Sequence, residues 1–148
     1  MLSLITLYIH LSSAILRLDN KRLSFEELYQ LGRWYAQLGN ETLAKACFFD
    51  CLKDSRQEKS QVHFALGMIY KREKNIAMAI TAFEEVTEES LLFGQAAIEL
   101  AKLFEHCYKD IAKALHFAKL AFEYRDTRKE SDSYVQRLRR LEMKDKQM

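Results

Sequence analysis

The chain has 148 residues, 49% of them apolar and 30% charged, with a formal net charge of +2. That length and balance suit one domain of ordinary size with a real core, and exclude a disordered polymer. With no proline and only four glycines, a β-sandwich or a loop-rich enzyme lacks the turns it needs, and so small a net charge demands neither nucleic acid nor an anionic membrane as partner.

The first element covers about residues 1–18, and residues 1–16 carry no charge. Leu4, Tyr8, Leu11 and Ile15 form one helical stripe, which Leu2, Ile5, Ile9 and Leu16 broaden. Ser3, Thr6, His10, Ser12 and Ser13 interrupt the run, which falls short of the about 20 apolar residues of a membrane span. The basic start of a signal peptide is missing too. Residues 1–23 therefore read as an apolar packing helix. Its apolar surface exceeds what a terminal cap needs, which predicts a homodimer through this helix.

Further helices are expected over 24–38, 41–54, 59–74, 76–87, 91–107, 110–124 and 132–143. Ser24 and Glu27 have capping-box spacing. Asn40, Asn75 and Asp110 stand where alternate helices begin, and these side chains can accept from the unpaired N–H groups of a first turn. Ser131 or Asp132 suits the cap of the last helix. There Tyr134, Leu138 and Leu141 form an apolar stripe, and Arg137, Arg139, Arg140 and Lys144 a basic face expected to be solvated.

A repeat runs through the middle. At an offset of 35, Leu31, Gly32, Tyr35, Asn40, Ala44 and Phe48 align with Leu66, Gly67, Tyr70, Asn75, Ala79 and Phe83. A third copy holds Leu100, Ala101, Phe104, Asp110, Ala114 and Ala118; its first half lies 34 residues on and its second half 35, so one residue enters the inter-helix turn. Small residues (Gly32, Gly67, Ala101) allow close helix crossings. The aromatics Tyr35, Tyr70 and Phe104 are expected to fill the space beside them and to be buried.

The order Leu-Gly-x-x-Tyr, then Gly, Ala and Phe, resembles the tetratricopeptide repeat (TPR). Repeat one matches at Leu28, Leu31, Gly32, Tyr35, Gly39, Ala44, Phe48 and Cys51, and repeat two at Leu66, Gly67, Tyr70, Ala79, Phe83 and Val86. Repeat three keeps Leu100, Ala101, Phe104, Ala114 and Ala121, while Lys74 replaces a usual glycine and the usual proline is missing throughout. The resemblance implies an all-α, right-handed superhelix of three TPR-like helix pairs, about 25–58, 59–92 and 93–126. An apolar helix precedes them, and a capping helix with a basic tail follows over 127–148. Three stretches, LSLITLYIHL, LYQLGRWYAQLGN and ELAKLFEHCYKDIAKALHFAKLA, also resemble the C-terminal TPR region of bacterial ribonuclease H-like exonucleases. The acidic metal ligands of that family would all lie before Met1, so none is carried over.

Catalytic chemistry is not legible. Cys47 and Cys51 lie on one helix face but read as core residues, with no four converging ligands for zinc. His10, His63, His106 and His116 are scattered, no glycine-rich loop cradles a phosphate, and Glu84, Glu85, Glu88 and Glu89 read as a solvated face. No enzyme activity, metal or cofactor is therefore expected. An odd cysteine count fits a reducing, cytoplasmic compartment.

In the TPR register the first helix of each pair lines a concave side. That assigns a ligand-binding face to Tyr29, Arg33, Phe64, Met68, Lys71, Arg72, Lys102 and His106, with Ile98 and Glu105 also lining it. Recurrent cations among apolar groups suit an acidic, partly apolar peptide, and a nucleic-acid backbone is the alternative partner. The carboxylate clamp of chaperone-tail binders is absent, since Tyr29, Arg33, Ala65, Gln95 and Glu99 occupy its positions.

Overall fold

A computed structural model of the protein describes residues 23–124 and 131–147. The helix expected over 1–18, and the self-association assigned to it, lie outside the described residues. The described residues contain helices and no strand: α1 (Phe25–Gln37), α2 (Glu41–Leu52), α3 (Ser60–Arg72), α4 (Ile76–Glu84), α5 (Phe93–Leu103), α6 (Ile111–Glu123) and α7 (Ser131–Gln147). A π-helical turn, Phe104–Tyr108, continues α5. The chain divides into two compact units, Met1–Gln57 and Glu58–Met148.

The first unit holds the pair α1–α2. Ser24 and Glu27 form the expected capping box, each side chain reaching the other's backbone N–H. Gly39 sits at φ +76°, and the Asn40 N–H donates to the Tyr35 carbonyl at 2.9 Å, closing the end of α1. The Asn40 side chain then caps α2 by accepting from the Leu43 N–H. Leu28, Leu31, Ala44, Cys47, Phe48 and Cys51 form the buried seam.

The second unit repeats this device twice. Lys74 takes the left-handed conformation at φ 60°, and the Asn75 N–H donates to the Tyr70 carbonyl at 2.9 Å. Lys109 does the same at φ 57°, but here the Asp110 N–H reaches the Phe104 carbonyl, one residue further back, at 3.0 Å. The extra residue of the third repeat is thus taken up inside the helix as a π turn. Asn75 and Asp110 cap α4 and α6 as expected. At the open end of the pair α3–α4, the buried Ser60 hydroxyl lies 3.2 Å from the Thr87 hydroxyl and accepts from the Thr87 N–H.

The glycines make the close crossings expected of them, but against a different ring. A Cβ on Gly32 would lie 2.7 Å from Phe48, and one on Gly67 2.6 Å from Phe83. In the first two pairs the filling aromatic therefore comes from the second helix, not from the tyrosine one turn along the first. Tyr70 is buried, as expected, at 8% exposure. Tyr35 is only half-buried, packed beside Trp34 at the edge of the Leu31–Cys47 cluster.

The last helix covers the third pair. Tyr134 and Leu141 are buried, and Tyr134 packs with Ala97, Ile98 and Ala121. Ile98, expected on the open face, is therefore a core residue, because α7 lies over it.

Candidate binding surface

None of the eight residues assigned to the ligand-binding face is buried. In the first unit the structure brings Tyr29 and Arg33 together. The Arg33 guanidinium stands 5.9 Å from the centroid of the Tyr29 ring, which itself packs on Phe48 at 5.8 Å. Burial raises the Tyr29 phenol above its ordinary value, with Arg33 opposing.

In the second unit Phe64, Met68 and Lys71 lie along α3, half-exposed, while Leu66, Ile69 and Tyr70 on the same helix are buried. Phe64 packs edge-on to Phe83, at 5.6 Å between centroids. Arg72 is exposed at the end of the helix. Lys71 and Lys102 share one carboxylate: Lys71 donates to Glu99 Oε2, and Lys102 donates to Glu99 Oε1 at 2.6 Å. The Glu99 side chain is only 11% exposed. Burial pushes its carboxyl up, but the bonds from Lys102 and Lys71 outweigh this and hold it below the ordinary carboxylate range.

His106 stands on the π turn, with Nε2 3.5 Å from Glu105 Oε2. Glu105, read as a face-lining group, is instead buried, its side chain 1% exposed. Arg137 Nη1 donates to it at 2.6 Å, Arg140 Nη2 at 2.9 Å and Lys144 Nζ at 2.8 Å. Three of the four cations expected to be solvated on α7 therefore converge on one carboxylate. Burial raises the Glu105 carboxyl, and hydrogen bonds from Lys144 and Arg140 more than reverse this.

Glu99 and Glu105 were not legible as organising groups, since the partners of Glu105 lie more than thirty residues away in sequence. Only the spacing of Glu99 to Lys102 could have flagged a pair. In the repeat register Glu105 corresponds to Lys71. Each reaches forward to the next stacked helix, Lys71 to Glu99 on α5 and Glu105 to the cations of α7, with opposite sign.

The other groups behave as structure. Cys47 and Cys51 are buried free thiols, pushed up by burial to about 11 and about 12, whereas Cys107 is exposed. Cys51 occupies the small buried position that Val86 and Ala121 fill in the other pairs. Glu84, Glu85, Glu88 and Glu89 are exposed, as expected. Among the described residues no helix is long and apolar enough to cross a membrane.

Residues 60–90, which hold α3 and α4, match the tetratricopeptide repeat family. Over 119 residues the chain is 29% identical to an uncharacterised protein, YprB, of Bacillus subtilis (strain 168). The match covers 79% of this chain and 29% of YprB, so the chain spans less than a third of that relative's length. The matched helices, their glycine crossing and their asparagine cap agree with that match.

Proposed function

We propose that the protein is a non-catalytic interaction scaffold of a reducing, cytoplasmic compartment, binding a protein partner through the first helices of its pairs. The observation that carries this reading is the row Phe64, Met68 and Lys71 on α3, left half-exposed beside a buried core row. Tyr29 and Arg33 offer a similar apolar-and-cationic combination on α1. Such a face suits an extended peptide with apolar and acidic side chains. Lys71 and Lys102 contribute two ammonium groups against the single Glu99 carboxylate, leaving a positive excess.

Reversing Lys71 would not test this cleanly, because a glutamate there would face Glu99. Met68→Ala with Arg72→Glu avoids that pair and keeps the test on α3. Peptides selected from a random library on the wild-type chain should carry acidic and apolar residues. They should lose about tenfold in affinity or more on the double variant, the scale of one charge-assisted contact. Equal binding by the two proteins at unchanged helical content would remove the assignment.

A second reading takes the chain as the accessory region of a ribonuclease H-like exonuclease that handles nucleic acid. The partial coverage of the longer YprB favours it. Full-length YprB should then digest single-stranded DNA, and lose substrate affinity when the matched region is removed. An intact YprB without nuclease activity would count against this reading.

A further inference from the structure

The Glu105 cluster does more than hold a helix in place. A latch for α7 needs one cation on a buried carboxylate. Here three are gathered on it, with His106 as a fourth neighbour. Two of the three remain open to solvent: the side chains of Arg140 and Lys144 are 49% and 45% exposed, against 18% for Arg137. Gathering like charges is unfavourable unless a counter-charge is near, and one carboxylate cannot balance three. Among the described residues, every hydrogen bond of these three side chains runs to Glu105, and each spends a single donor. A guanidinium has five N–H donors and an ammonium three, so most of the donor capacity points elsewhere.

The arrangement has the character of a prepared anion site. Arg137, Arg140 and Lys144 follow i, i+3 and i+7 spacing, which aligns them along one face of α7. Glu105 lies beneath that face and fixes long side chains that would otherwise lose freedom on binding. Guanidinium forks suit the geometry of phosphate oxygens. We infer that Arg140 and Lys144, positioned with Arg137 by Glu105, form a binding site for a phosphate group, either free or in the backbone of a nucleic-acid strand. The site lies on α7 and the π turn, apart from the row on α3, and needs neither of the functions proposed above.

The full chain would be titrated at low salt with inorganic phosphate, read by NMR shifts of the arginine side chains. A labelled oligothymidylate of about 12 nucleotides, read by anisotropy, is the second probe, and an oligoglutamate peptide the third. Phosphate should shift the Arg137 and Arg140 signals. If it does so while the oligonucleotide is not bound, the site serves free phosphate. If the oligonucleotide binds, Arg140→Gln/Lys144→Gln should weaken it by about tenfold or more. The double variant should also lower the salt slope by about 1.4, the value for two phosphate contacts on a single strand. Both variant positions are exposed and Arg137 still holds Glu105, so thermal melting checks that the fold is kept. The inference is overturned if neither phosphate probe binds, if the variant binds with unchanged affinity and slope, or if only oligoglutamate is captured.

Discussion

The contact between Gly67 and Phe83 shows how a single missing methyl shapes a helix pair. Alanine is the better helix former by about 1 kcal/mol, so Gly67→Ala would ordinarily stabilise α3. Here its Cβ would meet a fully buried ring at 2.6 Å. We expect a net loss of about 1–3 kcal/mol in urea unfolding, typical of an overfilled core, and a larger loss for Gly67→Leu. Trimming the ring in Gly67→Ala/Phe83→Leu should recover part of it; purely additive losses would show that the two do not touch. Lys74 presents the opposite case. It holds φ 60° where Gly39 does the same work in the first pair. The left-handed conformation costs a side-chain-bearing residue about 1–2 kcal/mol. Lys74→Gly should therefore raise stability by about 0.5–1 kcal/mol, while Gly39→Ala should lower it. Gly67 is visible in sequence as a small residue, and Lys74 as the residue that stands where a glycine is usual. Which ring meets the glycine is not, because that depends on how the partner helix is rotated about its axis.

At the scale of elements, the helix boundaries were readable because caps are local. Ser24, Asn40, Asn75 and Asp110 each bond within three residues, and each performs its expected role. The π turn was visible only as an extra residue, since sequence spacing does not say whether a loop or a helix absorbs it. The charges on α7 were misread because a basic helix face looks solvated until the carboxylate opposite it is known. The pair α1–α2 offers a direct probe of element stability through its thiols. Cys47 and Cys51 are buried with their thiols pushed to about 11 and about 12, while Cys107 is exposed. A thiol reagent at neutral pH should label one cysteine at once and the other two only as fast as α1 and α2 separate. Prompt labelling of all three would contradict the packing of α2.

For the whole molecule, the buried charges set the response to acid. Glu99 and Glu105 are both held below the ordinary carboxylate range. Their stabilisation is present above the unfolded value of about 4.3 and is lost as pH falls through the folded values, because the unfolded chain then takes up protons that the fold resists. His63, lowered by burial, acts in the same direction from about 6.5 downwards. The urea midpoint should fall from neutral pH to pH 4 and more steeply below, and Glu105→Gln should flatten the lower limb at the cost of stability at neutral pH. A midpoint independent of pH below 5 would refute this. The fold class was legible because helix pairs are written in short periods, whereas the long-range ion pairs are not. Those pairs also bear on how a chain of look-alike helices avoids stacking in the wrong order. Repeats with similar apolar seams are prone to misassembly and domain swapping. At equivalent positions Lys71 needs an acidic neighbour and Glu105 a basic one. Seating α7 where α5 belongs would set the Lys71 ammonium against the cations of α7 and leave it without the Glu99 carboxylate. The reversal of sign gives each junction its own address, and the wrong order is rejected by repulsion where hydrophobic packing alone would accept it.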